Sequence, residues 1–508
     1  MRLQLLVFLP AAAGLLAFLV RRVRLRRALL PLVAAAHASL VLSLWFAPAE
    51  PTWHGWLALD ATGLLFLSIT SALFLAVAVY AVGYLGREQH GDRTDFQEGL
   101  LFSNAPEAVF VGCLLFFLAS MSFVTLCQHF GLLWVGIETT TLASAPLIYF
   151  HRHRRSLEAT WKYLMICSVG IAVALLGFLF LSVAAADGNG GPASMLLADL
   201  LQRAPTLHSE WLRAAFILLL VGYGTKMGLA PLHTWLPDAH SEAPSVVSAL
   251  LSGALLNCAF LGILRAVQVC LAAGLGDLVR GLLLGFGLAS MAVAAVFLVG
   301  QRDYKRMLAY SSVEHMGILS LGVGLGGSAA FAAVLHAINH SLVKGMLFLV
   351  AGNIVTAYKT KASHEVRGIL RFLPATGVFW LLGFFAINGS PPFGTFLSEF
   401  GILKGALDQG RNVVAAAYLL LLVIIFVGMA TTVLRMAQGT PAPVSGAATP
   451  SPPGSDFGAL VSARLQGESL WSMAPIALLA LAALGLGLAL PAALQDLLRA
   501  VAQALGGW

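Results

Sequence analysis

Three residues in the stretch HAINHSLVKGMLFL, His336, His340 and Lys344, recur at intervals of four. That spacing sets them along one face of a helix. Imidazole and amine both take up and release protons, so the pattern is a file of proton-exchanging groups. Further ionisable residues stand alone in apolar sequence: Glu138 in WVGIETTTLASAPL, Lys226 in GTKMGLAPLHTWL, Glu314 and His315 in AYSSVEHMG, and Glu399 in SPPFGTFLSEF. A charge within a bilayer-spanning helix costs roughly 2.5 to 3.5 kcal/mol even on lenient insertion scales, and is tolerated chiefly facing a partner or a water-filled cavity. An ion path is therefore the expected chemistry, with Lys226 at its head. Each residue also has a plainer use: a core histidine bonded to a carbonyl, a glutamate at a helix end for Glu138, an interfacial carboxylate for Glu399, and a structural pair for Glu314 and His315. Asp238, His240 and Glu242 follow a break at Pro231 and are expected in a loop, as solvated caps or as a proton entrance.

Opposite charges about 4 Å apart attract by about 4 kcal/mol at an effective dielectric near 20. A glutamate close to Lys226 would therefore hold the lysine charged, and its withdrawal or neutralisation would let the apolar surroundings favour proton release. Glu138 is the expected modulator and Lys226 the proton store. Water chains would bridge the gaps to His336, His340, Lys344 and Glu399.

The elements that position these groups follow from composition. Of 508 residues, 59% are hydrophobic and 10% charged, against about 45–50% and about 25% in soluble domains. The chain is expected to be an all-α polytopic membrane protein. Apolar runs of about 20 residues, each able to cross a roughly 30 Å hydrocarbon core, fall near 4–20, 28–48, 62–85, 107–127, 129–150, 161–185, 211–236, 244–270, 277–300, 306–326, 329–356, 373–400, 412–437 and 472–492. On that count of about 14, the loops after odd-numbered spans carry roughly 20 of the 30 basic residues, the bias of cytoplasmic loops. Both termini are then expected on the non-cytoplasmic side. The basic residues are scattered over many short loops, so the net charge of +7 does not indicate nucleic acid.

The first run is an uncleaved helix, because its arginines, Arg21 to Arg27, follow the apolar stretch, whereas a signal peptide is preceded by its charge. Stretches 187–210 and 438–470 are rich in Gly, Pro and Ser and are expected as flexible connectors. Five isolated cysteines lack metal-site or disulfide spacing, and neither a metal nor a redox cofactor is expected. The GxGxxG match at Gly322, Gly324 and Gly327 lies at a helix end rather than between strand and helix, which points to helix packing.

GLAPLHTWL in the seventh span and NGSPPFGTFLSEF in the twelfth both interrupt long apolar segments. Two interruptions five spans apart suggest inverted five-helix repeats, an architecture in which unwound backbone lines a hydrated cavity. The expected division is 1–106 for three leading spans, 107–270 and 271–437 for the two repeats, and 438–508 for a flexible loop and final helix.

With these segments assembled, the chain resembles the antiporter-like membrane subunits shared by respiratory complex I, membrane-bound hydrogenases and multisubunit sodium/proton antiporters. The likeness rests on WVGIETTTLASAPL, GTKMGLAPLHTWLPDAHSEAPS, RDYKRMLAYSSVEHMG, HAINHSLVKGMLFL and SPPFGTFLSEF. IETTTLASAP, RRSLEATWKY, SEAPSVVSALLSGALLNCA and AYSSVEHMG lean toward component F of hydrogenase-4 and formate-hydrogenlyase-type complexes. The resemblance implies 14 helices, broken seventh and twelfth helices, and proton translocation along a mid-membrane Glu/Lys/His axis. It makes Glu138, Lys226 and Glu399 the counterparts of the helix 5 glutamate, the helix 7 lysine and the helix 12 lysine or glutamate. Many complex I relatives carry a helix 8 lysine in a pattern like LLKTAAYG, where this chain has Asn257 in LLNCAFLG. Asparagine bonds water but holds no proton near neutral pH. The sequence stops at Trp508, so the long lateral helix of some distal complex I subunits is not expected.

The resemblance implies a proton-translocating subunit of a bacterial inner-membrane redox complex, working beside other membrane subunits. A subunit of a sodium/proton antiporter and a proton-conducting partner of an inorganic-carbon uptake system are the alternatives.

Overall fold

The computed structural model describes residues 1–88, 91–94, 99, 101–186, 194–439 and 468–507. It begins with three long helices, α1 (Arg2–Leu19), α2 (Val23–Phe46) and α3 (Ala61–Arg87). A small antiparallel hairpin of β1 (Asp92–Thr94) and β2 (Leu101–Ser103) separates them from α4 (Glu107–Leu126), α5 (Phe130–Ile148) and α6 (Arg154–Ala184). Side chains mark several starts: Asp60 Oδ1 accepts from Gly63 N at the head of α3, and His129 Nδ1 accepts from Gly131 N and Leu132 N at the head of α5. These bonds satisfy amide groups that a helix start leaves without partners.

A short helix α7 (Leu197–Arg203) with one 3₁₀ turn precedes α8 (Ser209–Met227). The stretch 187–210, expected as a connector, is thus partly helical, and 187–193 lie outside the described residues. A second short helix, α9 (Trp235–Glu242), holds Asp238, His240 and Glu242. Those three residues were expected in a loop; the turn of helix that follows the break carries them instead. Then come α10 (Ser245–Leu250), one π-helical turn at Leu251–Leu255, and α11 (Leu256–Ala272). Every residue from Ser245 to Cys270 is buried, which places this segment at the centre of the bundle.

The remaining helices are α12 (Gly276–Leu298), α13 (Tyr304–Leu325), α14 (Ser328–Tyr358), α15 (Ile369–Phe372), α16 (Pro374–Ile387), α17 (Gly394–Asp408), α18 (Asn412–Ala437), α19 (Leu470–Leu488) and α20 (Ala492–Ala504). Most of the stretch 438–470 lies outside the described residues. Among the described residues, eleven helices are long and apolar enough to cross a membrane. The other expected spans fall on α8, on α13 and on α16 with α17, where charges or an interruption break the apolar run. α20 was not anticipated. It is amphipathic, burying Leu498, Val501, Ala502 and the following Leu505, and it packs against α3 and α14.

Close helix approach positions the polar residues. A Cβ on Gly222 would lie 2.5 Å from Ala174 N, so glycine there lets α8 reach the backbone of α6. Gly324 of the GxGxxG match packs in the same way, 3.0 Å from Leu284 N on α12. Helix packing is therefore the use of Gly322 and Gly324, whereas Gly327 is a positive-φ turn residue between α13 and α14.

Candidate functional site

Both interruptions are built alike. α8 ends at Gly228 (φ +85), with Gly228 N donating to Thr225 O and Leu229 N to Gly224 O. α16 ends at Ile387, with Asn388 between it and Gly389 (φ +62), and Gly389 N donates to Ala386 O and Ser390 N to Phe385 O. Each is the glycine-terminated cap in which a left-handed residue turns the chain out of the helix. Pro231 and Pro392 follow at the same distance, each after a cis peptide bond. In both, the second fragment reaches back to the first: Trp235 Nε1 donates to Thr225 O at 2.8 Å, and Thr395 Oγ1 donates to Ala386 O.

At the first interruption Lys226 is fully buried in the last turn of α8, where the negative end of a helix favours a cation. Its Nζ donates to Thr141 Oγ1 at 2.5 Å and to Tyr163 OH at 2.8 Å, and Ser144 Oγ lies 2.7 Å beyond the tyrosine oxygen. Thr141 in turn donates to Glu138 Oε2 at 3.1 Å. Glu138 and Lys226 thus meet through one hydroxyl rather than directly. Glu138 is half-buried, and its other oxygen accepts from Ser168 Oγ, an exposed residue of α6. The carboxylate therefore faces outward and the ammonium inward, coupled by Thr141. Sequence reasoning missed Thr141, Tyr163 and Ser144, because hydroxyls on apolar helices also serve as ordinary packing residues.

The second cluster lies between α13, α14 and α17. His336, His340 and Lys344 all lie buried on α14, as their spacing requires. The nearest polar contact of His336, however, crosses between helices: His315 Nδ1 lies 2.9 Å from His336 Nε2, and Ser398 Oγ lies 2.9 Å from His336 Nδ1. The ring of His340 packs 5.2 Å from that of His315. Glu314 receives a bond from Ser311 and stands 3.9 Å from His315 Nε2, while Lys344 Nζ donates to Leu308 O at 2.7 Å. Glu399 is 7% exposed and sits against Gly389, where an added Cβ would lie 2.0 Å from its Oε2. Its Oε1, both nitrogens of His340 and Nε2 of His315 have no hydrogen-bond partner among the described residues. The expected file is thus a network across three helices, and Ser398 is the member that sequence did not supply.

The hydrogen bonds also assign a tautomer. Ser398 gives its hydroxyl proton to Thr395 O at 2.9 Å, so it accepts from His336 Nδ1–H. His336 Nε2 is then the bare nitrogen and accepts from His315 Nδ1–H.

Between the clusters lies Asn257, just after the π-helical turn. Its Nδ2 donates to Gly253 O at 3.0 Å and to Ser341 Oγ at 2.8 Å, and Ser341 stands on α14 beside His340. In the first turn of α9, Asp238 pairs with Lys162 at 3.0 Å and with Arg306. Glu242 pairs with Lys361 at 2.8 Å. Burial alone would raise the Glu242 carboxyl, but the Lys361 charge and hydrogen bond outweigh it and hold the group below its ordinary value. Lys305, unmarked by sequence reasoning as a site residue, is buried beside this group and donates to Ala243 O at 2.5 Å. Asp238 and Glu242 are thus held in ion pairs with Lys162, Arg306 and Lys361. A cavity of about 150 Å³ opens here, lined among others by Glu242, Lys305 and Lys361.

Fold and geometry together define a polytopic helical membrane protein with ionisable side chains buried beside two interrupted helices. Comparison gives the family: residues 127–425 match the model described as "NADH:quinone oxidoreductase/Mrp antiporter, TM", and the chain belongs to that family. It is 36% identical to a hydrogenase-4 component F homolog of Methylacidiphilum infernorum, over 75% of this chain and 78% of that one. It is 30% identical to NADH-quinone oxidoreductase subunit N of Desulforudis audaxviator, over 80% and 77%. A chain in the structure of the Mrp complex from a Dietzia species shares the fold, with a TM-score of 0.81, 22% identity, and coverage of 99% of this chain and 96% of that one.

Proposed function

We propose that this chain is a proton-translocating membrane subunit of a hydrogenase-4- or complex I-like redox complex, in which Lys226 stores the proton and Glu138 modulates it. The observation that carries this reading is the Glu138–Thr141–Lys226 bridge: a buried ammonium bonded, among the described residues, to hydroxyls alone and linked through one of them to a half-buried carboxylate. A change beside Glu138 would alter the field at Lys226 through a single side chain. From there the route runs past Asn257 to His340, Lys344, Glu314 and His315, and leaves by Glu399. Ser398 pins His336, since the chain through its Nδ1 ends on a backbone carbonyl that has no proton to pass on. Asp238 and Glu242 guard the approach near α9.

In this reading the chain crosses a bacterial inner membrane 14 times with both termini outside the cytoplasm, as its loop charges favour. Residues 107–270 and 271–437 form inverted repeats, an arrangement supported by the matching construction of the two interruptions. Other membrane subunits abut Glu138, and electron carriers reside in partners. Exchange of sodium for protons is the second reading, favoured by the fold shared with a chain of an Mrp complex.

Proton flux through the purified complex in liposomes tests both. Lys226→Ala is expected to abolish coupled flux while the complex stays assembled; flux at the wild-type level would overturn the role of Lys226. Flux that requires sodium would favour the antiporter reading.

A further inference from the structure

His315 on α13, His336 on α14 and Glu399 on α17 bring two imidazole nitrogens and a carboxylate oxygen within 4.8 Å of one another, all buried. We propose that these three residues form a binding site for a divalent transition-metal ion of the zinc class. Two imidazoles and one carboxylate, with a fourth position left to water, are a donor set that zinc takes readily.

Three features make the site more than a coincidence of residue types. The first is the tautomer of His336. Its Nδ1–H is committed to Ser398, whose own proton goes to Thr395 O, so Nε2 presents a lone pair in a fixed direction. A metal-bound histidine typically has its other nitrogen held in this way. The second is spacing. His315 Nδ1 and His336 Nε2 stand 2.9 Å apart, and ligands about 2.0–2.1 Å from a tetrahedral ion are separated by about 3.3 Å, so a small opening of the pair admits the ion. His315 then takes its other tautomer, the proton passing from Nδ1 to Nε2, 3.9 Å from a Glu314 oxygen, so that a neutral imidazole presents Nδ1 to the ion. The third is charge. Glu399 in the ligand set and Glu314, 3.9 Å from His315 Nε2, supply two carboxyl groups that can balance a dication, which an apolar interior would otherwise exclude. Glu399 Oε1 has no hydrogen-bond partner among the described residues, and the carboxylate adjoins Gly389, beside the exposed Pro391 and Pro392.

Metal at this site would replace the His315–His336 hydrogen bond and occupy Glu399, and so block proton passage. The binding rests on geometry alone; only the block rests on the function proposed above. The test is titration of the chelator-treated, purified complex with Co²⁺, read by the visible absorption of four-coordinate cobalt, and with Zn²⁺, read by X-ray absorption at the zinc edge. One saturable site with two imidazoles among its ligands is expected. It should be lost in His336→Gln and Glu399→Gln, and weakened about tenfold to a hundredfold in Ser398→Ala. A zinc shell without imidazole, or a cobalt signal unchanged in both ligand variants, would overturn the site, and the zinc spectrum decides even if a variant fails to fold. Metal bound with undiminished proton flux would leave the site standing and count against the proposed route instead.

Discussion

The two helix interruptions share one register, with Gly228 matching Gly389, Pro231 matching Pro392 and Thr234 matching Thr395. In that register Lys226 corresponds to the buried apolar Ile387, and Glu399 corresponds to Asp238. The backbone device is common to both; the chemistry placed on it is not. On the first interruption the buried charge is a cation, ahead of the glycine, bonded to Thr141 and Tyr163. On the second it is a carboxyl group, beyond the proline, with an oxygen lacking a hydrogen-bond partner among the described residues and two histidines nearby. Asp238, the register mate of Glu399, is tied to Lys162 and Arg306. An interrupted helix is thus a frame for exposing backbone within the bundle, and the groups hung on it decide whether the site stores charge firmly or exchanges it. At the first site the ammonium, the bridging hydroxyl and both carboxylate oxygens each have a bonded partner. The second is open to a proton, a water or a metal ion.

The strongest way to break this contrast is at Gly389. Its φ of +62 suits glycine, and a Cβ would lie 2.0 Å from Glu399 Oε2. Gly389→Ala is expected to displace the carboxyl group and to lower proton flux by at least about tenfold; a left-handed alanine costs about 1 kcal/mol in addition. Gly228→Ala controls for the backbone effect alone, because its Cβ would meet Leu236 Cδ1, the end of a flexible side chain. If both alanines reduced flux equally, the contact with Glu399 would not be the cause.

Thr141→Val asks whether the first site depends on its bridge. Hydrogen bonds to charged groups contribute about 1.5–3 kcal/mol, so flux is expected to fall by about tenfold or more with Lys226 and Glu138 both present. Tyr163→Phe removes the other acceptor of the lysine without cutting the link to Glu138, and a smaller loss is expected. Equal losses would mean that solvation of Lys226 matters and coupling to Glu138 does not.

Much of this frame was legible in sequence. Apolar runs locate the long helices to within a few residues because a bilayer demands length and hydrophobicity together, and Gly and Pro mark both interruptions. Lys226, Glu399 and the histidines stood out because ionisable residues are rare in such runs. The partners were not legible. Thr141 and Ser398 belong to residue types common at packed helix faces, and which helices face each other is a tertiary fact that periodicity does not contain. His336 shares a face with His340, yet its bonded neighbour is His315 on another helix. α20 carried a usable signal, the three- and four-residue spacing of Leu494, Leu497, Leu498, Val501 and Leu505, hidden by its position just after the last apolar run.

A smaller effect should come from the frame that both sites share. Asp60, at the head of α3, makes a two-point ion pair with Arg265 of α11 at 2.6 Å; the Arg265 side chain is 2% exposed and that of Asp60 38%. Burial alone would raise the Asp60 carboxyl, but the arginine's charge and hydrogen bond outweigh it and bring the group from 3.8 to about 2. A depressed acid contributes stability above its unfolded value and loses it as pH falls through the folded one, so this contribution should fade from pH 3.8 down to about 2. Asp60→Asn is expected to lower stability by about 2 kcal/mol, between the values for exposed and fully buried pairs. Thermal unfolding in detergent measures it, and a variant as stable as wild type would show that the pair is solvent-screened. Flux per assembled molecule should be unchanged at both sites.

The smallest effect is expected at Asn257, where the two regions join. Its amide ties the π-helical turn at Gly253 to Ser341 on α14, so it holds the geometry between Lys226 and His340 and carries no proton of its own. Asn257→Ala should cost about 1 kcal/mol of stability, the worth of a buried hydrogen bond, and reduce flux by a few-fold at most. Asn257→Asp keeps the size and one acceptor but adds a titratable group, and a bell-shaped pH profile absent from wild type would then mark proton passage directly at this position. If the alanine variant instead lost flux as completely as Lys226→Ala, the two sites could not be distinct stations joined by solvent. Asn257 would itself be an indispensable link, orienting the water that the missing lysine would otherwise replace.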